Sequence, residues 1–147
     1  MVGPKILVVD DEQPILDLVS AYLRREGYEV LLAKDGPSGL KAARVLQPDL
    51  LVLDVMLPGM DGLELLAQLR RESNVYVILL TAKSDETDKV IGLSVGADDY
   101  LTKPFSPREL AARIKVARRR RARSSPSSTS DWTPGRARSG WMARWLS

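Results

Sequence analysis

Short apolar runs alternate with amphipathic segments along most of the chain. The runs are KILVV (Lys5 to Val9), YEVLLA (Tyr28 to Ala33), DLLVL (Asp49 to Leu53), VYVILL (Val75 to Leu80) and the weaker DYLT (Asp99 to Thr102). Three of the five are apolar almost throughout, as strands covered on both faces should be. Between the first two, Ile15, Leu16, Leu18, Val19, Tyr22 and Leu23 follow helical spacing, with Pro14 near the start and Gly27 as the stop. Pro37 to Leu46 repeats the arrangement, and Pro48 prevents its continuation. Leu63, Leu65, Leu66 and Leu69 mark a third helix, Val90, Ile91, Leu93 and Val95 a fourth ended by Gly96, and Leu110, Ile114 and Ala117 a fifth. Strands and helices in this order predict right-handed βαβ units: an α/β domain with a five-stranded parallel sheet flanked by five helices.

The polar residues fall where those strands end. Asp10 and Asp11 follow the first, Asp54 the third, Thr81 the fourth and Lys103 the fifth. Ligands of open parallel α/β sheets bind outside the carboxyl ends of the strands, so these side chains should converge on one crevice. Three carboxylates brought together repel one another unless a cation sits among them. Oxygen ligands alone point to Mg²⁺ or Mn²⁺, which keep some waters and engage phosphate. Lys103 adds a second positive charge, suiting the crevice to a tetrahedral anion such as a phosphoryl group, which Asp54 could attack to give an aspartyl phosphate.

Composition narrows the chemistry further. The 147 residues contain neither Cys nor His. Disulfides, thiolate nucleophiles, imidazole bases and a phosphohistidine of the chain's own are therefore excluded, and a cytoplasmic or otherwise reducing location fits. No apolar run approaches the roughly 18 residues of a membrane span. The net charge of +3 divides unevenly: residues 1–117 hold 14 Lys and Arg against 18 Asp and Glu, whereas residues 118–147 hold eight Arg and a single acid, Asp131. The later stretch is rich in Arg, Ser, Pro and Gly, contains all three Trp, and lacks apolar periodicity. A domain over 1–121 followed by a basic, disordered tail over 122–147 is the expected division.

VVDDE (Val8 to Glu12), LDVMLPGMDG (Leu53 to Gly62), LLTA (Leu79 to Ala82) and GADDYLTKPF (Gly96 to Phe105) together resemble the receiver domain of two-component response regulators. GADDYLTKPFSPRELAARI further resembles the OmpR/PhoB subfamily of transcriptional regulators. The resemblance covers Lys5 to about Arg121, with the four segments in order and in register. It implies the flavodoxin-like (CheY-like) strand order 2-1-3-4-5, of which receivers are a known instance. Asp54 would accept a phosphoryl group from a separate sensor histidine kinase. Asp11, the Asp54 carboxylate and the Met56 backbone carbonyl would bind Mg²⁺, with Asp10 acting through water. Thr81, the Ala82 amide and Lys103 would hold the phosphoryl oxygens, with the Lys103–Pro104 peptide cis. Thr81 and Tyr100 would form a switch acting on the face of helix 4, strand 5 and helix 5. In the subfamily that face pairs two receivers, here through Lys89 with Glu109, Asp99 with Arg113 and Asp98 with Arg120. Exposed pairs of this kind contribute about 0–1 kcal/mol each and select orientation more than affinity.

Two other readings fit less well. A Mg²⁺-dependent phosphatase of the haloacid dehalogenase type would want a second Asp two residues beyond its nucleophile, where this chain has Met56. A flavodoxin-like cofactor carrier would want a phosphate-cradling loop after the first strand, where DDEQP places carboxylates. The tail lacks the alternating strands and recognition helix of a winged-helix output domain, so no DNA binding is expected of it. The expected protein is a self-modifying phosphoacceptor that turns over no separate substrate.

Overall fold

The computed structural model describes residues 3–82, 91 and 95–124. Among them the sheet has five parallel strands in the order β2-β1-β3-β4-β5. The strands are β1 (Lys5–Val9), β2 (Glu29–Ala33), β3 (Leu50–Asp54), β4 (Tyr76–Ala82) and β5 (Asp99–Lys103). The helices are α1 (Gln13–Arg25), α2 (Gly36–Leu46), α3 (Gly62–Arg70) and α4 (Pro107–Ser124), the last of these being the fifth predicted from sequence. The fourth predicted helix lies mostly outside the described residues, although Ile91 and Val95 are helical. So does the tail beyond Ser124, while α4 itself runs on past Arg121.

Alternation along the strands builds two cores. Ile6, Val8, Leu50, Val52, Ile78 and Leu80 face α1 and α4, whereas Leu7, Val9, Leu51, Leu53, Val77 and Leu79 face α2 and α3. Both sets are buried, which is why the central strands read as apolar without a break. Each large aliphatic side chain so buried contributes about 1.5–3 kcal/mol. The helices begin where side chains satisfy free amides: Asp35 accepts from the Ser38 N–H at 2.7 Å to start α2, and Asp61 from the Glu64 N–H at 2.8 Å to start α3. Helix α1 departs from the expected pattern. Leu18 is 55% exposed, and Ser20 takes the buried position, its hydroxyl donating to the Asp17 carbonyl at 3.2 Å. The buried stripe is Leu16, Val19, Ser20 and Leu23, and at 100° per residue Leu18 falls on the opposite side of the helix.

The predicted strand limits shift by a residue or two. Asp54 and Lys103 are the last residues of their strands, and Thr81 lies inside β4. Their backbones are therefore held by the ladder: Asp54 lies opposite Leu80, Thr81 opposite Thr102 and Ala82 opposite Lys103. Beyond the ladder, the Asp10 N–H donates to the Ala33 carbonyl and the Val55 N–H to the Leu80 carbonyl, each at 3.1 Å.

The loop after Asp54 is closed by the Gly62 N–H donating to the Val55 carbonyl at 2.8 Å. A Cβ on Gly62 would collide with the Asp54 carbonyl oxygen and Val55 Cα. Replacing glycine by alanine in a helix ordinarily stabilises by about 1 kcal/mol, so the sign of the change separates the two effects. Gly62→Ala is expected to lose on the order of 2 kcal/mol or more, read as a lower urea midpoint. A raised midpoint would show that α3 does not seat against β3 in this way.

Candidate functional site

Lys103, at the end of β5, reaches across the carboxyl edge of the sheet to groups carried by two other strands. Its Nζ donates to Asp54 Oδ2 at 2.8 Å and to Glu12 Oε2 at 2.7 Å. Asp10 Oδ2 lies 2.9 Å from the same nitrogen but accepts no well-aligned hydrogen bond. The remaining oxygens are fixed by backbone: Asp54 Oδ1 accepts from the Met56 N–H at 3.0 Å, and Asp10 Oδ1 from the Glu12 N–H at 2.8 Å. The Glu12 side chain makes no capping bond at the start of α1 and turns to Lys103 instead. The Lys103–Pro104 peptide is cis.

Asp10, Asp11, Glu12 and Asp54 can bring carboxylate oxygens within 4.8 Å of one another. Asp10 and Asp54 are buried, whereas Asp11 and Glu12 are exposed. Burial raises the Asp54 carboxyl above its ordinary pKa, aided by the Asp10 charge and opposed by Lys103 and the Met56 N–H. For Lys103, burial disfavours the charge, but the hydrogen bonds to Asp54 and Glu12 and the close Asp10 carboxylate outweigh it and hold the pKa above its usual value. The ammonium is therefore a fixed charge at neutral pH.

Thr81 Oγ1 is buried and has no hydrogen-bond partner among the described residues. An unsatisfied buried hydroxyl costs on the order of 1–3 kcal/mol. Together with the ill-aligned Asp10 oxygen and four acids facing one ammonium, it marks a site whose groups are not satisfied by the protein alone. An all-oxygen donor set of this kind fits a hard divalent cation, and the Thr81 hydroxyl with Lys103 fits a tetrahedral anion.

The structure thus brings together Asp10, Asp54 and Lys103 in direct contact, with Asp11 beside them. Met56 presents its N–H to Asp54 while its side chain is 67% exposed. Ala82 is exposed, opposite Lys103. Tyr100, paired with Leu79, is half-buried against the α2–α3 core and shares a sheet face with Thr81. Within this chain the charged residues of the expected pairs have contacts of their own. Asp98 Oδ2 is engaged within the chain, by Arg70 Nη2 at 3.0 Å and the Val77 N–H at 2.9 Å. Arg113 Nη1 holds both Asp99 oxygens at 3.0 Å, also within the chain. Glu109 and Arg120 are exposed, and Lys89 lies outside the described residues. Sequence reasoning missed Glu12 as a site residue and Arg70 as the partner of Asp98. The signal for Glu12 was available, because it is the third consecutive acid after β1.

Comparison with known proteins places these observations. The chain matches the response regulator receiver domain over residues 6–115. It is 54% identical over 125 residues to the alkaline phosphatase synthesis transcriptional regulatory protein PhoP of Bacillus subtilis (strain 168), covering 84% of this chain and 52% of that protein. The chain thus spans about half the length of that relative. The Francisella response regulator 1452 receiver domain superposes with a TM-score of 0.75 at 38% identity, over 80% of this chain and 98% of that one. The receiver domain of sensor histidine kinase PA1611 from Pseudomonas aeruginosa PAO1, which holds a magnesium ion in its active site cleft, superposes with a TM-score of 0.71 at 32% identity, over 78% and 96%.

The raised pKa of Asp54 has a consequence for stability. The folded chain holds that proton more tightly than the unfolded chain does, so the resulting stabilisation is present below the ordinary carboxylate range and is lost as pH rises through the folded pKa. At neutral pH the ionised carboxylate is a net cost. Asp54→Asn is therefore expected to melt on the order of a few degrees higher than the wild type at pH 7 without divalent cations. The difference should shrink towards pH 4, near the ordinary value of 3.8, and differential scanning calorimetry at both pH values checks it. A variant melting below the wild type at pH 7 would show that the Lys103–Asp54 pair dominates instead.

Proposed function

The chain belongs to the response regulator receiver domain family, and from that premise we propose that it is a phosphorylation-activated switch whose phosphoacceptor is Asp54. The reading is carried by one observation: a buried carboxylate held at one oxygen by Lys103 and at the other by the Met56 N–H, beside an unpartnered Thr81 hydroxyl. The donor is a histidine kinase carrying a phosphohistidine. An Asp54 carboxylate oxygen forms the new O–P bond as the P–N bond of the donor breaks, and the departing imidazole nitrogen takes a proton from solvent. Lys103 neutralises charge on the equatorial oxygens throughout, and needs no proton transfer to do so. Asp11, Asp54 and the Met56 carbonyl would hold Mg²⁺, with Asp10 acting through water, and the cation supplies further charge neutralisation to the phosphoryl oxygens.

The new anion offers Thr81 the partner it lacks. Movement of that hydroxyl alters the space beside Tyr100 on the adjacent strand, so the event at Asp54 is read on the face formed by β5, α4 and the preceding helical segment. Two modified receivers then pair through this face, with transcription control as the output. The Asp99–Arg113 pair, whose side chains are 28% and 38% exposed, is accessible enough to exchange partners, whereas Asp98, 6% exposed, keeps a structural role.

Incubation with acetyl phosphate and Mg²⁺ should add one phosphoryl group to the wild type by intact mass, and none to Asp54→Asn. A wild type that stays unmodified while hydrolysing phosphate esters would replace this reading with a phosphatase using an aspartyl-phosphate intermediate. Analytical ultracentrifugation with beryllofluoride and Mg²⁺ should move the protein from monomer to dimer. A monomer under both conditions would remove pairing from the proposal.

A further inference from the structure

Lys103 has three carboxylate neighbours, and they are not equivalent. Asp10 is 0% and Asp54 4% exposed, each with its second oxygen held by a backbone N–H. Glu12 makes the shortest contact, at 2.7 Å, yet its side chain is 56% exposed. It is also the only one of the three that stands on the first turn of a helix instead of in the rigid strand end, at the N-cap of α1. An ammonium has three protons to donate. Asp54 and Glu12 accept two of them, and Asp10 Oδ2, 2.9 Å from the nitrogen, crowds the third without accepting a well-aligned bond. A phosphoryl oxygen that is to be bound by Lys103 must therefore compete with these carboxylates for the ammonium. Asp10 and Asp54 cannot leave without breaking backbone hydrogen bonds in a buried setting, whereas the Glu12 carboxylate can turn into water.

We propose that Glu12 is a positioning residue for phosphoryl transfer: it occupies the Lys103 proton that the phosphoryl group later takes, and so sets how readily the site accepts an anion. This inference rests on the reading of Asp54 as phosphoacceptor and assigns Glu12 no contact with the reacting atoms. Its negative charge also stands where the incoming anion arrives, and both effects act in the same direction. A neutral residue at this position should make the site more receptive. The pair is half exposed, which limits the effect to about two- to fivefold.

The test compares wild type, Glu12→Gln, Lys103→Ala and the double variant, each with Mg²⁺. Acetyl phosphate modification is followed by intact mass, and binding of beryllofluoride by ¹⁹F NMR. Glu12→Gln should raise the modification rate and the beryllofluoride affinity about two- to fivefold, and Glu12→Asp, whose shorter side chain keeps the charge but not the reach, should fall between it and the wild type. In the Lys103→Ala background the Glu12 substitution should gain clearly less than in the wild type, because the lysine through which it chiefly acts is gone. An equal gain in both backgrounds would overturn the proposal in favour of simple charge repulsion. Weaker Mg²⁺ binding by Glu12→Gln, measured by calorimetry, would overturn it in favour of a role on the cation. A wild type that takes up no phosphoryl group would refute the underlying phosphoacceptor reading, whereas unchanged rates and affinities in Glu12→Gln beside a competent wild type would refute the role of Glu12 alone.

Discussion

Four carboxylates share the carboxyl edge of this sheet with one ammonium, and the arrangement holds only because that ammonium comes from a different strand. Like charges about 4 Å apart near a protein surface repel by on the order of 4 kcal/mol, and several such pairs rival the 5–15 kcal/mol that keeps a whole domain folded. Lys103 meets this strain at Asp10, Glu12 and Asp54 together. It can do so because β5 pairs with β4 in a register that sets Lys103 opposite Ala82. The rest of the architecture serves that placement. Apolar residues on both faces of β1, β3 and β4 fix the strand ends, and Gly62 lets α3 begin directly against the Asp54 carbonyl.

The strain is only partly relieved, and the residue of it is useful. The Asp54 carboxyl remains above its ordinary pKa despite two donors, and the Thr81 hydroxyl stays unpartnered. Both groups gain from an added cation and an added anion respectively. A site that is costly when empty binds more tightly when filled, and the difference between the two states is what a switch has available to move its surface.

Much of this was legible in the sequence because burial on both faces leaves an unmistakable trace. Runs such as Leu50 to Leu53 can only be covered strands, and the chemistry-bearing residues sit at their ends. The failures have a common cause, which is that one-dimensional spacing does not say which neighbour a side chain meets. Leu18 was counted among the apolar positions of α1, but at 100° per residue it lies across the helix from Leu16, Val19 and Leu23 and is exposed. Spacing likewise gave no sign that Arg70, 28 residues earlier, reaches Asp98 within the chain. Glu12 stands beside two predicted site acids, and only the fold shows that its carboxylate reaches Lys103, 91 residues later, at 2.7 Å.

The Arg70–Asp98 contact also bears on how the sheet can move. Arg70, at the end of α3, donates to the Gly96 carbonyl at 2.9 Å and the Ser73 carbonyl at 3.2 Å as well as to Asp98, which in turn accepts from the Val77 N–H. The beginnings of β4 and β5 are thereby tied to each other and to α3 by a nearly buried ionic network. At the other end of the same strands, the site has an unpartnered hydroxyl and an ammonium with one exposed carboxylate partner. Buried charge-assisted hydrogen bonds resist rearrangement far more than half-exposed ones do. Under the proposed switch, a displacement started at Thr81 or Lys103 would meet more resistance at the beginnings of these strands than at their carboxyl ends.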